Sequence, residues 1–179
     1  DLGSRGLGDV YKRQIFYFAS IGGLGDLPNL EVLENPKTNL ASEIISSDNR
    51  TLGKFYFKDN RTPVTFDELP KHLIEALIST EDIRFYSHSG IDFKRTLSAI
   101  IKFGTDGGGS TISQQLAKQL FTGEGSRNIF KRVIQKVKEY IIAIRLESYY
   151  TKDEIIAQYL NIYDFNNNAD GIRSCLLYT

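Results

Sequence analysis

Two acidic residues, Glu81 and Asp82, stand where an apolar helical run through Leu69, Leu73, Leu77 and Ile78 leaves the core. A carboxylate at such an edge is partly desolvated, which suits it to take a proton from a substrate. Phe85, His88 and Gly90 follow within one short turn. The plain alternative is a helix end with a solvated acid and a satisfied histidine, since structural acids outnumber catalytic ones.

A second group follows a run of glycines, Gly107-Gly108-Gly109, and reads Ser110-Thr111-Ile112-Ser113-Gln114-Gln115-Leu116-Ala117-Lys118. Thr111 and Gln114 fit a capping box. Ile112, Leu116 and Leu120 recur at helical spacing. The free N–H groups of such a helix start can hold an anion such as phosphate, although no Gly-Lys-Ser/Thr follows at the Walker spacing. Further on, Ile129, Val133, Val137, Ile141 and Ile144 make an apolar stripe. Arg132, Lys136 and Glu139 share another face of that helix, where they suit an anionic leaving group or form an ordinary salt-bridged surface. In the last segment, Thr151 and Glu154 form another capping box, with Ile155, Tyr159 and Leu160 on the buried side.

Taken in order, these segments resemble the peptidoglycan glycosyltransferase family, the glycan-polymerising domain of class A penicillin-binding proteins and monofunctional transglycosylases. The family's first motif, E-D-x-x-F-x-x-H-x-G, is matched by Glu81, Asp82, Phe85, His88 and Gly90. Its second, G-x-S-T-I-[ST]-Q-Q-L-x-K, is matched from Gly108 to Lys118. The third, R-K-x-x-E, meets Gln135, Lys136 and Glu139, and the fourth, K-x-x-I-x-x-x-Y-L-N, meets Lys152, Ile155, Tyr159, Leu160 and Asn161. The similarity covers roughly residues 27–172.

There are departures. Gln135 stands where the family usually has Arg, and Gln119 replaces a frequent Asn. Gly171-Ile172 resembles the start of a fifth motif, but Asp170 occupies a common aromatic position and the Ala-rich continuation does not follow. At position 135 an amide offers no charge to a pyrophosphate, so Arg132 or Lys136 is expected to compensate.

The resemblance implies a lysozyme-like, mainly α glycosyltransferase fold with a small N-terminal β element, its C-terminal helices lying beyond this sequence. It implies the polymerisation of lipid II onto a growing lipid-linked glycan, giving β-1,4 linkages with inversion. The implied setting is the outer, periplasmic face of the bacterial cytoplasmic membrane, beside other cell-wall synthesis proteins, with a transpeptidase domain in the parent protein. The implied catalytic residues are Glu81 and Glu139. The implied substrate contacts are Asp82, Phe85, His88, Ser110, Thr111, Gln114, Gln115, Lys118, Arg132 and Lys136. A deprotonated sugar hydroxyl attacks the anomeric carbon, so Glu81 is the expected base. Cations must meet the charge on the leaving group. Glu139 is the candidate ligand for a divalent metal, Mg or Mn, and no organic cofactor is expected. A lysozyme-type hydrolase, which usually pairs its glutamate with a second carboxylate, is one rival. A noncatalytic membrane interaction module is the other.

Composition argues against a nucleic-acid partner, because Lys+Arg and Asp+Glu number 22 each and leave no net basic field. The chain, at 179 residues, has material for one domain with a core. One cysteine, Cys175, excludes an internal disulfide, and two histidines exclude a histidine metal cluster. No G-x-S-x-G nucleophile signature occurs.

The elements needed to position these residues can be read as well. Residues 1–14 and 174–179 resemble translated adapter or cloning sequence and are expected to pack poorly. Residues 15–26 read as the surviving end of a membrane anchor, because the apolar run Ile15 to Leu24 is too short to span a bilayer. Residues 27–65 read as a linker followed by a short hairpin within Glu43–Phe57, turning at Ser46-Ser47-Asp48-Asn49-Arg50. Residues 66–173 read as an incomplete glycosyltransferase domain, with helices expected at 66–81, 92–103 (capped by Asp92), 111–121, 126–148 and 152–161.

Overall fold

The computed structural model describes residues 14, 17, 23, 27–28, 42–55, 61–96, 109–123, 125–165 and 169–177. The expected adapter segment up to residue 13, most of the expected anchor remnant and linker, the stretch 97–103, and Gly107 and Gly108 lie outside the described residues. Among the described residues, no helix is long and apolar enough to cross a membrane.

The architecture is mainly α with one hairpin. Strand β1 (Ser42–Ile45) pairs antiparallel with β2 (Thr51–Phe55), Ser42 opposite Phe55, with an irregularity between Ile44 and Ile45. The turn closes where expected: Ser46 N–H donates to the Arg50 carbonyl at 2.9 Å, and Asn49 takes a φ of 60°, a conformation that asparagine tolerates.

The first helix, α1 (Lys71–Glu81), starts later than expected. A 3-10 turn covers Phe66–Glu68, and Leu69 is extended. Pro70 explains the break: its ring disfavours helical backbone at the preceding residue, and it serves as the N-cap of α1. Leu73, Ile74, Leu77 and Ile78 pack against the core as partly buried side chains. Beyond α1, a 3-10 turn at Phe85–Ser87 leads to residues 93–96, which are helical as expected. Asp92 caps them by accepting the Arg95 N–H at 3.1 Å.

Helix α2 (Ile112–Ala117) runs on into a π-helical turn, Lys118–Thr122. Half of the expected capping box forms: the Thr111 hydroxyl accepts the Gln114 N–H, but the Gln114 side chain turns to the Gly90 carbonyl at 3.1 Å. Helix α3 (Ile129–Tyr149) is capped by Asn128, whose side chain accepts from Phe130 N–H and Lys131 N–H. Its expected apolar stripe is only partly internal. Ile129, Val133 and Ile144 are exposed, and the buried positions are Glu139, Ile141, Ile142, Ala143 and Leu146. Packing of α2 on the C-terminal half of α3 decides this, and the first two turns carry Ile129, Phe130 and Val133 in the open. Helix α4 (Lys152–Ile162) has the expected Thr151/Glu154 capping box and buries Ile155, Tyr159 and Leu160.

The core lies where α2, α3 and α4 meet, through Leu116, Ile142, Leu146, Ile155, Ile156 and Leu160. Two glycines permit close approaches. Gly90, at φ 88°, has no room for a Cβ, which would lie 2.9 Å from the backbone of Ala143 and Ile144; at Gly171, φ 80°, a Cβ would lie 2.6 Å from the Asn161 carbonyl. Helix α5 (Ile172–Leu177) crosses the expected boundary at residue 173, with Ser174 buried and Leu176 exposed. Ser174 therefore departs from the expected poor packing.

Candidate active site

A cavity of about 740 Å³ opens between the end of α1, the start of α2, the π-helical turn and the middle of α3. The two carboxylates singled out in the sequence, Glu81 and Glu139, both line it. Ser110, Gln114, Gln115, Lys118 and Lys136 also belong to its wall. Chain regions far apart in sequence thus converge on one pocket, the arrangement a substrate site needs.

Glu81 ends α1. Its Oε2 accepts the side-chain amide of Gln115 at 2.7 Å, and its main-chain carbonyl accepts from the Arg95 guanidinium. The Gln115 Oε1 in turn accepts the Tyr159 hydroxyl at 3.1 Å. Burial pushes the Tyr159 hydroxyl well above its ordinary pKa, and the charge of Glu81 and the neighbouring Tyr163 push the same way.

Glu139 is buried in the opposite wall. Its Oε2 meets Lys136 Nζ at 2.9 Å and its Oε1 accepts the Thr122 hydroxyl at 3.4 Å. The same ammonium donates to the Ser110 hydroxyl at 2.6 Å and lies 5.5 Å from the Tyr140 ring centroid. Lys136 is therefore held by α3, by its own helix neighbours and by the loop before α2, with its side chain 36% exposed to the cavity side. Lys118 is an exposed cation on the same rim.

Several expected substrate contacts lie behind the wall. Asp82 is 1% exposed, and its Oδ2 accepts from His88 Nε2 at 3.0 Å and from the Ile112 backbone N–H at 3.2 Å. Phe85 is fully buried, with Lys152 Nζ 4.2 Å from its ring centroid. Lys152 also donates to the His88 carbonyl at 2.6 Å and pairs with Glu147 at 2.7 Å. The Thr111 hydroxyl donates to the Gly90 carbonyl at 2.7 Å. These groups hold the turn after α1 against α2 and α4, and they support the site from behind. Gln114 sits in the wall but is wholly buried, its amide spent on Gly90. At the helix start expected to hold an anion, two N–H groups are engaged inside the protein, Ile112 by Asp82 and Gln114 by Thr111.

Position 135 is not part of the cavity wall. The Gln135 amide donates to the carbonyls of Thr122 and Gly123 and accepts the Ser126 N–H, all at 3.3 Å, which braces the chain between the π-helical turn and α3. Arg132 is exposed and does not line the cavity either. It shares the face of Lys136 but lies four residues earlier, about 6 Å back along the axis of α3. The cation that sequence reasoning missed is Arg95, which lines the cavity and lies 4.0 Å from Asp82. Its one local signal was its place in the first turn after the Asp92 cap. Asp92 itself is held below the ordinary carboxylate range: burial pushes it up, but the Arg84 guanidinium at 2.7 Å and the Arg95 N–H outweigh burial. Tyr163 and Thr80, also in the wall, carried no motif signal.

The fourth segment works from the far side. Tyr159 reaches Gln115, and Asn161 makes two bonds to Val64, accepting its N–H at 2.9 Å and donating to its carbonyl at 2.8 Å. This closes residues 61–69 over α4.

A family profile described as Transglycosylase matches residues 48–178. The chain is 40% identical over 142 residues to penicillin-binding protein 1F of Bacillus subtilis, covering 77% of this chain and 19% of that protein. It is 35% identical over 150 residues to penicillin-binding protein 1A of Escherichia coli, covering 82% of this chain and 17% of that protein. It is 39% identical over 140 residues to penicillin-binding protein 1A of Vibrio cholerae, covering 76% of this chain and 16% of that protein. The chain thus spans under a fifth of the length of these relatives. With its profile matched over most of its length and the motif residues gathered around one cavity, this chain belongs to the transglycosylase family.

Proposed function

We propose that this domain is a peptidoglycan glycosyltransferase that polymerises lipid II into β-1,4-linked glycan for bacterial cell-wall synthesis. The observation that carries the reading is the pairing of Glu81 with Glu139–Lys136 across one cavity, a carboxylate on one wall and a buried glutamate paired with a half-exposed lysine on the other. Glu81 takes the proton of the acceptor sugar hydroxyl as that oxygen attacks the anomeric carbon of the lipid-linked donor. The bond from that carbon to the pyrophosphate oxygen breaks, and the pyrophosphate leaves with the electron pair. Attack from the face opposite the leaving group inverts the anomeric centre. Lys136, Lys118 and Arg95 supply the positive charge that the leaving group requires.

Glu139 offers a divalent cation one carboxylate. Magnesium is commonly held by one or two carboxylates together with substrate phosphates, so the residue fits such a role with substrate present. Among the described residues, no three His, Cys, Asp or Glu side chains gather into a protein-built metal cage. When bound, the ion would neutralise phosphate charge.

The membrane is the proposed surface on which the domain works. The exposed apolar side chains Ile129, Phe130 and Val133 on the first turns of α3, beside Lys131 and Arg132, support that reading.

Product analysis after incubation with lipid II, with Mg and with chelator, tests the function. Polymer is expected. Shortening of preformed glycan would mean a hydrolase, and an inert chain that still binds vesicles would mean an interaction module.

A further inference from the structure

The hydrogen-bond chain Tyr159–Gln115–Glu81 has a direction that chemistry imposes. An ionised Glu81 can only accept, so the group facing it at 2.7 Å must be the amide nitrogen of Gln115. That choice leaves the Gln115 carbonyl oxygen facing Tyr159 at 3.1 Å, and a carbonyl only accepts, so the Tyr159 hydroxyl must donate. The hydroxyl is able to: Tyr159 is 3% exposed, and burial raises its pKa above the ordinary tyrosine value, so it keeps its proton. Its ring packs at a tilt against Tyr163, 5.4 Å between centroids, and Tyr163 meets Phe165 edge-to-face at 5.0 Å. The donor therefore sits on a fixed aromatic group in the middle of α4, and α4 is packed against α2.

We infer that Tyr159 is a positioning residue for the catalytic base: by donating to the Gln115 carbonyl it locks the amide in the one orientation that presents an N–H to Glu81, and so aims the Glu81 carboxylate into the cavity. Without that donor only the contact with Glu81 restrains the amide, and its carbonyl oxygen loses the partner that fixes rotation about the last side-chain bond. Gln115 then acts through Glu81 rather than on the sugar. The Arg95 guanidinium, on the main-chain carbonyl of Glu81, holds the same residue from its other side. The role given to Glu81 rests on the proposed transferase reading; the geometry of the chain does not.

The test uses the full chain and has two readouts. The first is the side-chain amide resonance of Gln115, assigned by its loss in Gln115→Leu. It should be shifted downfield and slow to exchange in the wild type. It should move to free-amide values in Glu81→Ala, which removes the acceptor, and also in Tyr159→Phe, which removes one oxygen and keeps the ring. A Gln115 amide unchanged in a folded Tyr159→Phe variant overturns the inference. Should that variant not fold, the Cζ resonance of Tyr159 in Gln115→Leu carries the same test, and an unshifted Cζ overturns it equally.

The second readout is polymerisation of lipid II. Tyr159→Phe should lower kcat about tenfold with KM within about twofold, and it should add no further loss once Glu81 is Gln. A variant with equal losses in kcat and binding, or with wild-type kcat, argues for a merely structural tyrosine. A wild-type chain that gives no polymer yet keeps the amide signature counts against the transferase reading and leaves the hydrogen-bond chain standing.

Discussion

The carboxylate of Asp82 accepts the backbone N–H of Ile112 at 3.2 Å and joins the residue after α1 to the first residue of α2. Through this bond the Glu-Asp pair splits its work. Glu81 faces the cavity, and Asp82 turns inward to His88 and the start of α2. The acid beside the base therefore sets the distance between two cavity walls.

Replacement of the base should be the most damaging change to activity. Glu81→Gln keeps a hydrogen-bonding group beside Gln115 but cannot take a proton. Polymerisation of lipid II should fall by roughly 10²–10⁴ while the circular dichroism spectrum and lipid-substrate binding stay near wild type. Near-normal polymer yield would falsify the assignment.

Lys136 and Arg132, both on α3, should separate cleanly. Lys136 lies on Glu139 and Ser110 in the cavity wall, whereas Arg132 is exposed outside it. Lys136→Ala should lower kcat/KM by about 10²-fold, and Arg132→Ala by no more than about threefold on soluble substrate analogues. Steady-state assays of the two variants side by side decide it; equal losses would mean that Arg132 reaches the substrate after all.

Gly90 should tolerate no side chain. Its φ of 88° is costly for other residues, and a Cβ would press on the backbone of Ala143 and Ile144 at 2.9 Å. Gly90→Ala should destabilise the fold by about 2–4 kcal/mol, seen as a lower midpoint in urea. A midpoint within error of wild type would show that α3 shifts freely at this contact.

Asp92 should make the protein acid-sensitive. Its folded pKa is depressed, so its contribution is present above the unfolded value of about 4 and is lost as pH falls through the folded value. Asp92→Asn should lower Tm at neutral pH by about 3–6 °C. The gap to wild type should then close as melts are repeated at decreasing pH below about 4. A gap that persists unchanged into acid would mean that Asp92 acts by packing or capping alone, without its charge.

Much of the architecture follows from local chemistry. Thr151/Glu154 start α4, Asp92 caps residues 93–96, and the Ser46–Arg50 turn closes the hairpin, because each uses bonds between residues within a few positions of one another. Motif order also singled out Glu81, Glu139, Gln115 and Lys136, which line one cavity, without any knowledge of their distances. The break at Pro70 was missed: a single helix was expected over 66–81, whereas α1 begins only at Lys71.

What tertiary structure alone decided is which way side chains face. Val133 and Ile144 belong to the stripe that includes Ile141, yet only Ile141 is buried, because α2 covers one half of α3. Arg132 and Lys136 share a helical face, but the cavity ends between them. Asp82 and Glu81 are neighbours with opposite directions, and Arg95 and Tyr159 reach the base only because the chain folds back on itself. Spacing along a chain specifies helix faces, whereas burial depends on what packs against each face, and that information lies in contacts between distant segments.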